Sequence, residues 1–317
     1  MSFWKQFGNN PLLLAPLAGF TDRPFRGVVK KFGCSITFSE MVNVNALAYN
    51  NPKTLKMVEK NPLETPYFVQ IASNNLENCR RAVQLLEQLE WVDGIDINFG
   101  CPVKKAIRSG FGGVLLKPEN HHFFRQLIQC VVSTTSKPVS IKMRLGFEIG
   151  DFVADRLAGI GEEEGVSFIT LHGRFVKQMY RGKANYHLIA KVVKAVSIPV
   201  IVNGDITDYS KMVEALEITR GAGVAIGRGA IGKPWIFREL EQGGKIELEE
   251  KREIILEHFR EMVKFYGNYG VILFRKHLHR YSKGIEKASQ FRQKVNQITS
   301  PKEMEQLIEE EFIPIDV

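Results

Sequence analysis

Eight short runs rich in Val, Ile, Leu and Phe recur along the first three quarters of the chain, separated by segments of helical periodicity. They are Leu12–Ala15, Ile36–Ser39, Tyr67–Ile71, Gly94–Asn98, Val139–Met143, Phe168–His172, Val200–Asn203 and Gly223–Gly227. Several, such as PVIV and FITL, are apolar at nearly every position, as strands buried on both faces of a parallel sheet are. Between them, Leu76–Glu90 gathers Ala82, Leu85, Leu86 and Leu89 on one helical face. His122–Thr135 does the same with Phe123, Leu127, Ile128 and Val131, and Ala154–Glu164, Tyr186–Val196 and Tyr209–Glu217 read alike. Eight strands, most followed by a helix, over about 235 residues predict an α/β fold of the (β/α)8 TIM-barrel kind. A doubly wound open sheet needs a Gly-rich dinucleotide turn after its first strand, and APLAGF at 15–20 is not one.

The pattern changes near Glu241. The segment EQGGKIELEE reads as a linker, and beyond it no strand run occurs. Helices are predicted over Lys251–Phe265 and Val271–Lys294, the second interrupted or bent at Gly284, followed by an acidic terminal segment, Lys302–Val317. The expected organisation is a barrel over residues 1–240 and a small helical domain over 241–317.

At 317 residues, a core can form without staples. The four cysteines, Cys34, Cys79, Cys101 and Cys130, include no C-x-x-C pair, which argues against a disulfide framework or a structural zinc site and for a reducing compartment. No Cys/His cluster or H-x-x-x-H spacing suggests a metal, and no obligate protein partner is indicated. The first twenty residues lack a signal-peptide pattern, and no apolar run approaches membrane-spanning length, so a cytoplasmic protein is expected. The net charge of +8 fits a polyanionic partner or a solvated basic surface.

In such a barrel, chemistry sits at the carboxyl ends of the strands. Those positions hold Pro16-Leu17-Ala18-Gly19, Ser39-Glu40-Met41, Gln70, Asn98-Phe99-Gly100-Cys101-Pro102, Lys142-Met143-Arg144, His172-Gly173-Arg174, Asn203-Gly204-Asp205 and Gly227-Arg228-Gly229. A solvated or capping role explains any one of them; eight together describe a pocket. Gly204, Gly227 and Arg228, after the last two strands, stand where many barrels bind a phosphate. Lys142 is open to three readings: a cation facing an electron-rich ring, an ion pair with Glu40, or a Schiff-base lysine. Gln70 and Asn98 offer donor and acceptor together. Cys101, in a Gly-Cys-Pro turn, is expected at the mouth as a proton donor or nucleophile, whereas Cys34, Cys79 and Cys130 read as buried small hydrophobes. His172 is a cofactor ligand, an acid or a neutral structural histidine. The pair His121-His122 reads as surface.

Together these residues resemble the tRNA-dihydrouridine synthases. The resemblance runs through APLAGFTD (15–22), SEM (39–41), Gln70, NFGCP (98–102), KMRLG (142–146), HGR with Gln178, Tyr180 and Gly182 (172–182), NGDI (203–206) and GRGA (227–230). Leu17, Phe20 and Tyr186 stand where the family often has Met, Val and Trp. The resemblance implies FMN at the barrel mouth, with Pro16, Leu17 and Ala18 against the ring and Gln70 and Lys142 at its polar edge. His172, Asn203, Gly204, Asp205, Gly227 and Arg228 would surround the ribityl phosphate. It implies reduction of FMN by NADPH, hydride transfer to C6 of a tRNA uridine and protonation of C5 by Cys101. Asn98 and Arg174 are expected to grip the uracil edge. The implied alternative within the same fold is a flavin enzyme reducing a small molecule, such as a free pyrimidine or an enone.

The tail segment 275–294, RKHLHRYSKGIEKASQFRQK, carries seven Lys or Arg against one acid, Glu286, with Tyr281 and Phe291 among them. It reads either as a solvated face or, for a tRNA enzyme, as a phosphate-contacting surface that includes Arg275, Lys276 and Lys283.

Overall fold

The computed structural model describes residues 3–8, 10–244 and 246–312. Nine parallel strands are present: β1 (Leu12–Leu14), β2 (Thr37–Phe38), β3 (Val42–Asn43), β4 (Tyr67–Ala72), β5 (Gly94–Phe99), β6 (Val139–Arg144), β7 (Phe168–His172), β8 (Val200–Asn203) and β9 (Gly223–Ile226). They run in the order β1-β9-β8-β7-β6-β5-β4-β2. The circle closes where Leu14 N–H donates to the Ile36 carbonyl (3.0 Å) and Ser35 N–H to that of Leu12 (2.7 Å). The expected barrel is therefore the observed architecture. β2 and β3 both pair with β4 and together make one stave. It breaks at Ser39, whose Oγ accepts from Gln70 N–H (2.9 Å) and donates to the Glu40 carbonyl (2.8 Å).

Strand residues alternate between the barrel interior and the helices outside. Outward-facing Val69, Ile71, Ile95, Ile97, Ile141, Met143, Ile169, Leu171, Val202 and Val224 join the helices in the main core. The lower interior is a separate apolar cluster of Leu13, Ile36, Phe38, Phe68, Phe168 and Ile201, covered by Phe3, Trp4 and Phe7. Gly94 is required here, because a Cβ would lie 2.3 Å from the Phe68 ring. Two residues further up each strand the interior turns polar. Register pairs Gln70 with Asp96, Asp96 with Ser140, Asn98 with Lys142, Arg144 with His172, and His172 with Asn203.

Helices follow the strands, and several start on a side-chain cap. Asn75 accepts from Asn78 N–H (2.9 Å), Asn185 from Leu188 N–H (3.1 Å) and Asp208 from Lys211 N–H (2.9 Å). On the helix His121–Val132 it is Phe124, not Phe123, that is fully buried. Its ring lies 4.1 Å from that of Phe99. A helix not anticipated from the sequence, Arg23–Lys30, follows β1, capped by Asp22. It buries Arg26 against Glu64 (2.7 Å), both side chains fully inaccessible. Thr37 Oγ1 and Asn61 N–H also donate to Glu64, each at 2.6 Å.

The last quarter of the chain is helical: Leu248–Tyr266, Tyr269–Tyr281, Ala288–Gln297 and Pro301–Glu311. The expected interruption at Gly284 is observed: the stretch Val271–Lys294 is two helices, separated where Gly284 (φ +91°) and Lys287 (φ +54°) adopt left-handed backbone. Leu248–Tyr266 packs on Arg23–Lys30 and so joins this bundle to the barrel. The last five residues of the acidic terminal segment, 313–317, lie outside the described residues.

Removing one partner of a buried ion pair strands the other charge. Glu64→Ala should therefore lower stability by about 3–5 kcal/mol, read by urea unfolding, whereas a loss under about 1 kcal/mol would show the pair to be unimportant.

Candidate active site

The upper interior of the barrel is a hydrogen-bonded polar floor. Gln70 Nε2 donates to Asp96 Oδ2 (2.6 Å), and Gln70 Oε1 accepts from Asn98 Nδ2 (2.9 Å). Ser140 Oγ donates to the other Asp96 oxygen (2.6 Å). Lys142 Nζ donates to Asn203 Oδ1 (3.1 Å), and Asn203 Nδ2 to the Ala225 carbonyl (2.7 Å). Lys142 is not paired with Glu40, whose Oε1 accepts from Gly19 N–H instead. Burial and the neighbouring Arg144 push the Lys142 ammonium down to about 8, so it remains mostly cationic at neutral pH.

Cys101 stands on the rim. Asn98 Oδ1 accepts from Gly100 N–H (3.2 Å) and Cys101 N–H (3.0 Å), and the Cys101 carbonyl accepts from Gly113 N–H (3.1 Å). These bonds fix the turn, so Asn98 serves both the floor and the rim. Cys101 is half-buried, while the other three cysteines are buried. Burial pushes the Cys34 thiol up to about 12.

Across the mouth, His172, Arg144, Arg174 and Arg228 gather around Asp205 and Tyr180. His172 is held well below its usual range, first by burial and then by the cations around it, and is therefore neutral. Arg174 Nη1 approaches its Nε2 at 3.4 Å, which puts the ring proton on Nδ1. Arg174 itself is 2% exposed, and its fork is engaged: Nε with the Arg181 carbonyl (3.1 Å), Nη2 with that of Gly182 (2.6 Å) and with Asp205 (2.7 Å). It shapes the 174–182 loop. Asp205, with φ +57°, also accepts from Ala184 N–H (2.8 Å) and from Arg228 Nη2 (3.4 Å). The Arg228 guanidinium lies 4.5 Å from the Tyr180 ring centroid. Gly204 has φ +122°, and a Cβ there would lie 2.8 Å from the His172 ring.

Pro16 and Leu17 are half-exposed and Ala18 is exposed on the turn after β1. A Cβ on Gly227 would sit in ordinary contact with Ala15 and Leu17, both at 3.7 Å. The strand ends thus bring Gln70, Asn98, Cys101, Lys142, His172, Asn203, Gly204, Asp205, Gly227 and Arg228 to one mouth. Two contributors were given no role from the sequence: Arg144, which was placed at a strand end only, and Asp96. Arg144, pushed down to about 10 by burial, donates to the carbonyls of Gly100 (3.0 Å), Phe175 (3.0 Å) and Met179 (2.7 Å). Asp96 anchors the floor. Each sits two residues from a selected residue on the same strand, and that period was the available signal.

The tail residues are spread more widely. Arg275 Nη2 donates to the Ile298 carbonyl (2.8 Å) and its Nε is buried. Lys276 Nζ lies 5.5 Å from the Phe20 ring centroid, against the turn that follows β1. Lys283 lines a cleft of about 1320 Å³ between barrel and tail, with Arg228, Lys233, Arg280 and Lys287. Tyr281 and Phe291 are buried and serve the core.

A parallel eight-stave barrel with polar side chains converging at the carboxyl ends of its strands defines an enzyme scaffold. Histamine dehydrogenase from Rhizobium sp. 4-9 shares the fold, with a TM-score of 0.57 at 13% identity over 79% of this chain and 49% of its own. The family model for dihydrouridine synthase (Dus) matches residues 13–314, and the chain belongs to that family. A probable tRNA-dihydrouridine synthase of Helicobacter pylori (strain ATCC 700392 / 26695) is 44% identical over 304 residues, covering 95% of this chain and 92% of its own. The tRNA-dihydrouridine synthase B of Pasteurella multocida (strain Pm70) is 37% identical over 303 residues, covering 93% and 90%.

Burial, opposed by hydrogen bonds from Gln70 and Ser140, raises the Asp96 carboxyl to about 7. The folded protein then holds this proton where the unfolded chain has released it. The stability it contributes is present at low pH and is lost as pH rises from about 4 to about 7. Asp96→Asn stays neutral and can accept from Gln70 while donating to Ser140. Urea unfolding should show the variant gaining on the wild type between these pH values; a constant difference would place the Asp96 proton elsewhere.

Proposed function

We propose that the barrel mouth holds FMN and that the enzyme reduces the C5–C6 double bond of uridines in tRNA to 5,6-dihydrouridine, with NADPH as reductant, in the cytoplasm. The observation that carries this reading is a half-buried thiol on a hydrogen-bonded rim, above a polar floor that holds one buried ammonium. The floor fits a flavin. Lys142 Nζ makes one hydrogen bond within the protein and keeps two N–H donors for an electron-rich edge. Gly204, neutral His172 and Arg228 suit a phosphate. Gln70 and Lys142 would face the ring's polar edge, and Pro16, Leu17 and Ala18 its flat side.

When bound, the flavin supplies hydride to C6 of the uracil and is recharged by the nicotinamide cofactor. Negative charge then builds toward C5 and O4 of the base. Cys101, a thiol on a fixed turn, donates its proton at C5 and so lowers the barrier. Asn98, held by both Gln70 and the Cys101 turn, sets the height of that thiol and would offer its amide to the uracil edge. Arg144 ties the Gly100 carbonyl to the 175–179 loop and keeps the rim rigid. The engaged guanidinium of Arg174 acts on the base indirectly, through the loop that carries Tyr180. The base must leave any RNA stack to reach this depth.

The cleft that starts at Arg228 and runs along the tail is lined by Lys233, Arg280, Lys283 and Lys287 as well as by acids such as Glu239 and Glu286, and its lysines and arginines would meet RNA phosphates. Residues 241–317 would then serve as the tRNA-binding domain beside a catalytic barrel of residues 1–240. Within it, Lys276 and Lys283 are better placed for phosphate than Arg275, whose guanidinium joins two helices. Among the described residues no helix is long and apolar enough to cross a membrane.

Cys101→Ala should retain bound flavin and its reduction by NADPH, yet lose tRNA reduction by about 10²–10⁴-fold. Retained turnover would remove the thiol from the mechanism, and equal NADPH oxidation with free uridine and with unmodified tRNA would assign a small-molecule substrate. The double charge reversal Lys283→Glu/Lys287→Glu should lower the salt dependence of tRNA binding by about 1–2 in log–log slope and leave flavin content unchanged. An unaltered slope would take the cleft out of RNA binding.

A further inference from the structure

Away from the mouth, three side chains from distant parts of the chain meet at the seam between barrel and tail. Asp22 caps the helix Arg23–Lys30, His258 lies on Leu248–Tyr266, and His277 on Tyr269–Tyr281. One ligand atom from each lies within 4.8 Å of the other two, and all three residues are buried. His258 Nε2 and both ring nitrogens of His277 are buried with no hydrogen-bond partner. Leaving such atoms unpaired costs about 1–3 kcal/mol each, so the grouping calls for an occupant.

We propose that Asp22, His258 and His277 bind a divalent transition-metal ion of the zinc class, which clamps the C-terminal helices to the barrel. Two imidazoles and one carboxylate are a ligand set that zinc takes, at about 2.0–2.2 Å per bond. Tetrahedral bonds of about that length put ligand atoms roughly 3.3 Å apart, so the three need to draw in by no more than about 1.5 Å. His258 is already oriented for the task. Its Nδ1 lies 3.0 Å from the Tyr281 hydroxyl, which leaves Nε2 as the free nitrogen, the arrangement that fixes the tautomer of a ligating histidine. Asp22 Oδ1 accepts from Phe25 N–H (3.2 Å), and the Tyr266 hydroxyl also lies against this carboxyl, so an ion would compete with that hydroxyl for it.

The surroundings are apolar. The rings of Phe25 and Phe274 lie 5.4 Å and 4.8 Å from His258, and that of Phe20 lies 5.4 Å from His277. Glu40 and Lys276 are the nearest charges outside the trio, and Arg26 is taken by Glu64. Asp22 follows directly on the Pro16–Thr21 turn, so an ion here would brace a wall of the mouth and the root of the tail together.

The test is metal content and uptake by the full-length protein. After dialysis against Zn²⁺ and removal of free ion, elemental analysis should find about one zinc per chain, and Co²⁺ in its place should give the visible bands of a low-symmetry site. Asp22→Asn keeps a residue that caps a helix well, and His277→Phe keeps an aromatic ring against Phe274. Both variants should fold and yet weaken Zn²⁺ binding at least tenfold. Wild-type protein that takes up no zinc, or variants that hold it as tightly, would overturn the proposal. Flavin content, read separately for each variant, reports whether the mouth is still formed, so loss of zinc is told apart from loss of the catalytic site.

Discussion

A hydrogen-bonded layer across the upper barrel holds the site together. From Ser39 it passes to Gln70, then to Asp96 and Asn98, and a second branch links Lys142 through Asn203 to the backbone of β9. Every member projects inward from a strand, because side chains alternate and the lower layer is filled with phenylalanines and aliphatics. Buried polar groups persist only when paired. That requirement fixes the rotamers of the floor and, through Asn98, the height of Cys101 at the rim. Rigid placement of one thiol over one cation is thus a consequence of pairing polar groups in a closed barrel.

The opposite wall follows a different rule. There the charges are concentrated, with Arg174 and Arg228 sharing Asp205 and with Tyr180 stacked on Arg228. Burial first, and then the same cations, keep His172 neutral. A site with fixed cations and a neutral histidine suits an anion, and left-handed backbone at Gly204 and Asp205 brings the chain close to it. Arg228 also lines the cleft toward the tail, where Lys283 and Lys287 stand among acids such as Glu239 and Glu286.

The barrel staves were legible in the sequence because strands buried on two faces must be apolar at almost every outward position, and FITL and PVIV are. The mouth was legible for a related reason: a polar residue at the carboxyl end of such a run has only the barrel interior to enter. The helix Arg23–Lys30 was hidden, since its sequence RPFRGVVK buries an arginine, and a buried arginine makes sense only once Glu64 is beside it. The break near Gly284 was half visible as a glycine, but whether the helix bent or stopped depended on how the two halves packed.

What the sequence determined by itself was local: which segments are strands, where glycines permit turns, and which residue types stand at strand ends. The tertiary structure alone decided which polar groups are already occupied, as Arg174 and Arg275 are, and which distant groups share a space, as Asp22, His258 and His277 do. The physical reason is that periodicity and propensity act over a few residues along the chain. Hydrogen-bond pairing and desolvation are settled only between groups brought together from afar.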